Sequence, residues 1–271
     1  MAQSSGDMNA TATKWRSLLE EAARLLPRYL EATGNLSHET KGIRRSEMFF
    51  LYASVAALPP ARIVESGRAR AQSTLVLSKL FPQAAIVSLE SDAASPDVAI
   101  AAERLRDCHN VECRFGDSVA LLPELVRPGD VVLIDGPKDF RALKLAFRLM
   151  RSGKPSVVFV HDLWLGSPAR EFIDRALPSV LLSDDPAWVE RYASLDSQQA
   201  APSTARPEMR RAYGPTFGRL DAGAENYGLR LLQCSAAQGA DRMHETMRRI
   251  LHRPPIVRPA DYAPFPSTEG R

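Results

Sequence analysis

The 271-residue chain contains little cysteine and carries almost no excess charge of either sign. Cys108, Cys113 and Cys234 are odd in number and form no C-x-x-C pair, so neither a disulfide framework nor a cysteine-rich zinc site is expected. Few cysteines fit a reducing compartment, and we expect a cytoplasmic protein. The net charge of +3 lacks the basic excess of a dedicated nucleic-acid binder. No nucleic-acid partner is therefore expected.

Long apolar runs are also lacking. The most apolar stretch, residues 48–58, is too short to cross a bilayer. The first residues lack the charged-then-apolar pattern of a signal peptide. We therefore expect no membrane partner.

What the sequence does contain is an alternation of short apolar runs and helical patterns. Runs of Val, Ile and Leu separated by helices are typical of strands that are buried on both faces of a parallel sheet. Right-handed crossovers then give a doubly wound, mostly parallel Rossmann-like α/β sheet with helices on both faces. The five predicted strands are residues 62–65, 85–89, 111–115, 131–134 and 157–160.

The predicted organisation is a single α/β domain over residues 13–251, with a helical N-terminal cap (13–58) and a core (61–235). Residues 1–12 are expected to be disordered, and residues 252–271 to form a proline-rich extended tail. In the cap, Pro27 should kink or divide the first helix, and Gly34 should end it. Beyond residue 163 the pattern predicts a helix at 169–176, a strand within 179–182, a loop over 196–224, a last strand at 226–234 and a helix at 239–251.

Ligands of open α/β sheets bind at the carboxyl ends of the strands, so the loop after the first strand is the first candidate site. Gly67 in this loop can adopt positive φ and let a ligand approach the backbone. Ala69 and Ala71 stand where a glycine-rich loop would have further glycines, so we expect either a tighter loop or a ligand that lies slightly further out. Glu90 ends the second strand and can accept hydrogen bonds from a ribose. Asp117 follows the third strand, and the alternative for both carboxylates is that they cap the next helix.

Residues 43–166 resemble the class I S-adenosylmethionine-dependent methyltransferases, in particular the catechol and caffeoyl-CoA O-methyltransferase-like branch. The resemblance lies in five segments: Ser46-Glu47 with residues 49–51, residues 64–67 followed by 72–74, Leu89-Glu90, residues 134–140 and residues 161–166. It implies that S-adenosylmethionine lies over Gly67, with Glu90 on its ribose, Ser73 or Thr74 near its carboxylate and Asp117 near its adenine. The full implied cofactor-binding set is Glu65, Ser66, Gly67, Arg68, Ser73, Thr74, Glu90, Asp117 and Asp135.

For the reacting centre, the resemblance implies that Asp135 and Asp162 bind a divalent metal such as Mg²⁺ and that Lys138 takes the proton of the acceptor. Leu163 stands at or near the third metal ligand of the family and cannot ligate. Metal dependence is therefore left open, and in a metal-free site Asp135 or His161 is the candidate base.

Several residues have two interpretations. Arg68 and Arg70 can bind an anion or form structural pairs. His161 can be a base, a metal ligand or a structural histidine. Trp164, Trp188 and Tyr192 can line an acceptor pocket, although core packing is favoured for the last two. Arginines 206, 210, 211 and 219 can clamp an anionic substrate or be solvated.

The leading hypothesis is O-methylation of a small-molecule hydroxyl by a methyltransferase. One alternative is a catalytically silent methyltransferase-like binding module, which the missing glycines and Leu163 favour. The other is a nucleotide-dependent oxidoreductase with Arg68 and Arg70 on a phosphate, against which the incomplete G-x-G-x-x-G argues. A homodimer is compatible with the sequence but is not indicated by it.

Overall fold

The computed structural model describes residues 5–38, 42–57, 59–196 and 216–250. These residues contain a seven-stranded sheet in the order β3-β2-β1-β4-β5-β7-β6. The strands are β1 (Arg62–Ser66), β2 (Ala85–Glu90), β3 (Val111–Phe115), β4 (Val131–Ile134), β5 (Val157–Val160), β6 (Leu181–Leu182) and β7 (Gly218–Asp221). The first five pair in parallel, and β7 runs antiparallel to both β5 and β6.

Helices cover both faces of the sheet, which confirms the predicted doubly wound fold. They are α1 (Ser5–Thr33), α2 (Arg45–Val55), α3 (Gln72–Leu80), α4 (Asp97–Arg104), α5 (Ser118–Leu125), α6 (Asp139–Arg151), α7 (Pro168–Ala176), α8 (Pro186–Tyr192) and α9 (Tyr227–Ile250), with a 3₁₀ turn at Ala193–Asp196. Successive residues of a strand point to opposite faces of the sheet, and a hydrophobic core lies on each face. Ile63 and Leu133 pack in the core beneath α1 and α2, and Val64 and Val132 pack in the core beneath α6.

The N-terminal cap differs from the prediction in two respects. Residues 5–12, predicted to be disordered, form the first turns of α1, because adding residues to an existing helix costs little once it is nucleated. Pro27 lies inside α1 and does not divide it. Leu25 before the proline and Tyr29 after it are buried in the same core, so packing holds the two halves together. Gly34 ends the helix as predicted, and residues 1–4 lie outside the described part of the chain.

The C-terminal third contains the largest correction. The segment 226–234, predicted to be the last strand, forms the start of α9. Tyr227, Leu231 and Cys234 recur at helical spacing and pack in the core with α6, and a short apolar run does not distinguish strand from helix. The last strand in the sheet is β7, which lies within the predicted loop 196–224. Residues 197–215 and the predicted tail at 252–271 lie outside the described residues. No described helix is both long and apolar enough to cross a membrane.

Candidate functional site

The strand order reverses between β1 and β4, because the chain moves outward from β1 to β3 and then returns to β4 beside β1. Open α/β sheets bind their ligands at such a switch point. A cleft lies at this position. Its lining includes Gly42, Ile43, Gly67, Arg68, Ala69, Arg70, Gln72, Ser73, Asp97 and Asp135.

The loop after β1 has the backbone of a glycine-rich loop although two of its positions are alanine. Gly67 has φ +88°, and a Cβ there would lie 2.8 Å from the carbonyl carbon of Asp135 and from the amide nitrogen of Gly136. Ala69 and Ala71 adopt φ values of 43° and 61°, a left-handed conformation that non-glycine residues seldom adopt. The sequence left open whether these alanines tighten the loop. The structure retains the loop at the cost of strain at both positions.

Glu90 lies beside this loop at the end of β2. Its two carboxylate oxygens accept hydrogen bonds from the backbone N–H of Ala69 (2.8 Å) and of Ser91 (2.7 Å). Oε1 also accepts from the Ser91 hydroxyl (3.1 Å) and from the Asp92 N–H (3.3 Å), whereas among the described residues Oε2 accepts only from Ala69, so acceptor capacity for a ligand hydroxyl is left on Oε2. Glu90 therefore lies at the end of β2 in contact with the loop that follows β1.

Other residues of the implied cofactor set face the interior of the protein. Glu65 is fully buried and accepts hydrogen bonds from the hydroxyls of Ser73, Thr74 and Ser88, with Ser88 at 2.7 Å. Burial raises the pKa of Glu65, against the opposing effect of these hydroxyls. Glu65 and Thr74 thus fix α3 to the sheet, and Ser73 also lines the cleft.

The arginines of the loop are engaged in structural contacts. The Arg68 guanidinium lies 4.8 Å from the centroid of the Phe115 ring and donates to the carbonyl of Ser88 (2.7 Å). Its residue exposure is 3%, and these contacts support the structural interpretation of Arg68, although the residue also lines the cleft. Arg70 pairs with Asp97 at 2.7 Å.

The end of β3 makes a capping contact and supports the neighbouring loop. Asp117 accepts a hydrogen bond from the backbone N–H of Val119 (3.0 Å), so it caps α5 as the alternative interpretation proposed. Ser66 and Ser118 both donate to the carbonyl of Gly136, at 2.5 and 3.0 Å. These two hydroxyls tie the loop after β4 to β1 and to α5.

A cluster of charged side chains lies at the carboxyl ends of β4 and β5. Asp135 directly follows β4, and His161 and Asp162 directly follow β5. The Lys138 ammonium lies 2.6 Å from Asp135 Oδ1 and also contacts Asp162 Oδ2. The His161 Nδ1 atom lies 2.6 Å from the same Asp135 oxygen and 3.4 Å from Asp162 Oδ1. Among the four residues predicted for the reacting centre, Lys138 and His161 thus each contact both Asp135 and Asp162.

Glu47 extends this cluster into the interior, although its chemical role was not predicted from the sequence. This buried residue of α2 places its Oε2 atom 3.5 Å from His161 Nε2. Its Oε1 and the imidazole Nε2 are buried without a hydrogen-bond partner. The sequence signal was the Ser46-Glu47 segment, which carried the resemblance but did not indicate a partner.

The cluster fixes the protonation states of its members. Burial lowers the pKa of His161, but the charges of Asp135, Asp162 and Glu47 outweigh it and raise the pKa well above 6.5. Burial likewise opposes the ammonium of Lys138, yet Asp135 and Asp162 raise its pKa. The pKa of Asp135 is lowered, because His161 and Lys138 outweigh its burial. At neutral pH the site therefore holds an imidazolium, an ammonium and an Asp135 carboxylate, so His161 and Lys138 are not free bases.

This charge state predicts how stability depends on pH. Because the folded protein raises the pKa of His161, the stabilisation is complete below about pH 6.5 and is lost as pH rises toward the folded-state pKa. We expect the free energy of unfolding to fall above pH 6.5, with a slope of up to about 1.4 kcal/mol per pH unit from this group. Urea unfolding between pH 6 and 9 should show a flatter profile for His161→Gln. The exposed His109→Gln is the control, and an unchanged slope in His161→Gln would contradict the assignment.

The donor set does not fit the Mg²⁺ ion that the resemblance implies. Two carboxylates suit a hard cation, but the Lys138 ammonium already contacts both Asp135 and Asp162. Leu163 is buried at 1% exposure and packs in the core. An amine cation therefore occupies the position between the two carboxylates.

Removing that ammonium should create metal affinity. Lys138→Met removes the ammonium from both carboxylates and leaves His161 as their remaining charged neighbour, and we expect the variant to bind Mn²⁺ at least about tenfold more tightly than the wild type, since the oxygens that contacted the ammonium become available as ligands. Electron paramagnetic resonance of free Mn²⁺ measures this directly. Lys144→Met on α6 is the control, and tight Mn²⁺ binding by the wild type would show that the ammonium does not exclude a metal.

The aromatic residues and the distant arginines that were candidates for the acceptor pocket or an anion site differ in their surroundings. Trp188 and Tyr192 are buried in the core that contains Phe49, which confirms core packing. Trp164 is half-buried. Arg219 lies in β7 and pairs with Asp221 at 2.7 Å, so it is not part of an anion clamp. Arginines 206, 210 and 211 lie outside the described residues.

No protein-family model matches this chain, and no curated protein does either. Among solved structures, the O-methyltransferase TomG from Streptomyces achromogenes, involved in tomaymycin synthesis, is 19% identical, with a TM-score of 0.46 over 73% of this chain and 89% of its own. An O-methyltransferase from Bacillus cereus is 18% identical, with a TM-score of 0.43 over 74% and 90%. An rRNA methylase from Streptococcus thermophilus is 11% identical, with a TM-score of 0.43 over 65% and 96%.

Proposed function

We propose that this protein is an S-adenosylmethionine-dependent methyltransferase that acts on a hydroxyl of a small molecule. The observation that carries the proposal is the loop at the switch point. Gly67 lies against the backbone of Asp135 and Gly136 where a Cβ would not fit, and Glu90 stands beside it. The charged cluster of Asp135, Lys138 and Asp162 lies at the neighbouring strand ends. Cofactor site and reacting centre thus share one cleft.

The residues present fit the cofactor. The Gly67 backbone offers close approach to a ligand, and Glu90 Oε2 has a lone pair left for a ribose hydroxyl. Ser73 lines the cleft on the side of α3. When bound, S-adenosylmethionine supplies a sulfonium methyl group for in-line displacement by the acceptor oxygen.

At the reacting centre, the exposed part of Lys138 is the contact for the acceptor. Its side chain is 52% accessible, whereas that of Asp135 is 18% and that of His161 only 6%. The ammonium stabilises the negative charge that develops on the acceptor oxygen. Asp135 accepts the hydroxyl proton, and the His161 imidazolium orients that carboxylate through its Nδ1 hydrogen bond.

The lowered pKa of Asp135 constrains the acceptor. A carboxylate of lowered pKa is a weak base and takes a proton efficiently only from an acidic hydroxyl. We therefore expect phenol-like acceptors rather than sugar or aliphatic alcohols.

The unpaired state of all three cysteines supports a reducing, cytoplasmic location.

Cofactor binding is tested by calorimetry with S-adenosylhomocysteine and, separately, NADP. We expect saturable binding of S-adenosylhomocysteine alone. Glu90→Ala should weaken it by about 1–3 kcal/mol, because the ribose hydroxyls lose a charged acceptor. Asp92→Ala, an exposed carboxylate two residues further on, is the control. Unchanged affinity in Glu90→Ala would remove Glu90 from the site, and binding of NADP alone would favour the oxidoreductase.

One observation favours a catalytically silent module as the second candidate. Lys138 contacts both carboxylates at the centre, so neither is free as a base in the absence of an acceptor. A silent module binds S-adenosylhomocysteine and gives no methyl transfer from labelled S-adenosylmethionine to any member of a panel of phenols, catechols and carboxylic acids. Transfer to any one of them would exclude it.

A further inference from the structure

The helix α9 is apolar on two opposite faces. One face packs against the core that contains α6 and α7, through Tyr227, Leu231, Cys234 and Ala237. The opposite face carries Leu229 (47% exposed), Leu232 (71%), Met243 (67%) and Met247 (52%). Surface helices usually bury one apolar stripe and present charged or polar residues opposite to it. A second, exposed stripe of large side chains marks an interaction surface.

Small residues fill the middle of this stripe. Ala236, Gly239 and Ala240 are exposed and lie between the leucine pair and the methionine pair. Gly239 stands inside the helix, where glycine costs about 1 kcal/mol relative to alanine. A Cβ at Gly239 would meet no atom within 4 Å, so nothing in the described structure requires glycine there. Close approach of a second helix would require it.

The order of large and small side chains along the stripe is the same when the helix is read in the opposite direction. In an antiparallel pair centred near residue 238, Leu229 lies beside the partner's Met247, Leu232 beside the partner's Met243, and Ala236 beside the partner's Ala240. The large side chains then meet at both ends, and the small residues let the helices approach in the middle.

The flanks of the stripe are compatible with the same register. Gln233 and His244 lie along one edge, and Ser235 and Arg242 along the other. In a two-fold antiparallel pair, each edge of the stripe lies beside the same edge of the partner helix, which runs in the opposite direction. Gln233 then lies near the partner's His244 and Ser235 near the partner's Arg242, so no like charges are opposed. The 24 residues of α9 give a contact length of about 36 Å.

We propose that α9 is a homodimer interface, and that its stripe of Leu229, Leu232, Gly239, Met243 and Met247 pairs antiparallel with the same stripe of a second copy. The occupant is another copy of this chain because the pattern is self-complementary, as a two-fold interface requires. The interface lies on the helix that follows the last strand, so it is separate from the cleft at the β1–β4 switch point.

Sedimentation equilibrium of the full chain over a range of concentrations tests this interface. We expect a species of twice 29.8 kDa for the wild type and a monomer for Leu232→Glu/Met243→Glu. The double variant should raise the dimer dissociation constant at least about a hundredfold, because pairing would bury unpaired carboxylates. Leu30→Glu, at an exposed leucine of α1, is the control for added charge. Circular dichroism verifies that each variant is folded.

Gly239→Leu separates an interface from a merely structural role. Leucine improves the helix propensity of an isolated copy but blocks close approach. We therefore expect equal or higher thermal stability together with a dimer weakened at least about tenfold. A wild type that stays monomeric at about 100 μM, far above the dissociation constant of a stable dimer, would overturn the proposal. A dimer that the double variant and Gly239→Leu leave intact would overturn it as well.

Discussion

Gly67→Ala should destabilise the protein by between about 2 and 5 kcal/mol and abolish detectable binding of S-adenosylhomocysteine. Two effects add. The φ of +88° is strained for any residue with a Cβ, and that Cβ would lie 2.8 Å from backbone atoms of both Asp135 and Gly136. Backbone cannot rotate away as a side chain does, so β1 and β4 must separate at their carboxyl ends. Urea unfolding measures the loss of stability, and calorimetry the loss of binding.

The control for this prediction is Gly129→Ala. Gly129 has nearly the same φ, +84°, but a Cβ there would meet nothing within 4 Å. It should cost only the conformational strain of about 1–2 kcal/mol and leave binding unchanged. The difference between the two variants measures the packing of the loop on β4. Equal effects on stability, together with intact binding in Gly67→Ala, would show that the close approach at Gly67 is unimportant.

The parallel core was predictable because its signals are local and repeated. Each of the first five strands is an apolar run flanked by helical patterns, and sheets buried on both faces require such runs. The edge of the sheet was not predictable in this way. The strand β7 contains Arg219 and Asp221 and follows a long polar segment, and only its pairing with β5 makes it a strand. The segment 226–234 became helix for the same reason, since its partner is α6 and not the sheet.

The candidate site was likewise predictable in part from the sequence. Strand ends place side chains at a common edge, so the sequence could predict that Asp135, His161 and Asp162 come together. It could not predict which atoms face inward. Arg68 is a candidate for binding an anion by its sequence position, but its guanidinium lies over the Phe115 ring, 4.8 Å from the ring centroid. Glu47 is far from the cluster in sequence, and α2 brings it to His161 by packing alone.

The alanines of the first loop show what local composition cannot establish. Two alanines in place of glycines suggested a different loop. Ala69 and Ala71 nevertheless adopt the left-handed conformation, because Glu90 accepts the N–H of Ala69 and the Ala71 N–H bonds to the Arg68 carbonyl at 2.7 Å. Tertiary contacts offset the strain, and the cleft keeps its shape.

Lys138→Met should lower kcat/KM for methyl transfer by about 10²–10³ while changing the affinity for S-adenosylhomocysteine less than twofold. The reason is the position of the ammonium, which contacts Asp135 and Asp162 and has half of its side chain open to solvent. Methionine has a similar length and no charge, so the acceptor oxygen loses its stabilising cation while the loop at Gly67 is untouched.

The assay requires a verified acceptor and is run once with a chelator and once, without chelator, with added Mn²⁺, because the variant is also expected to gain metal affinity. Lys144→Met, on α6, controls for loss of a lysine. A wild-type rate in Lys138→Met would remove this residue from the reacting centre, whereas equal losses of rate and cofactor affinity would reassign it to the cofactor site. Restoration of the variant by Mn²⁺ would mean that the essential property is a positive charge between Asp135 and Asp162, which the lysine supplies from the chain itself.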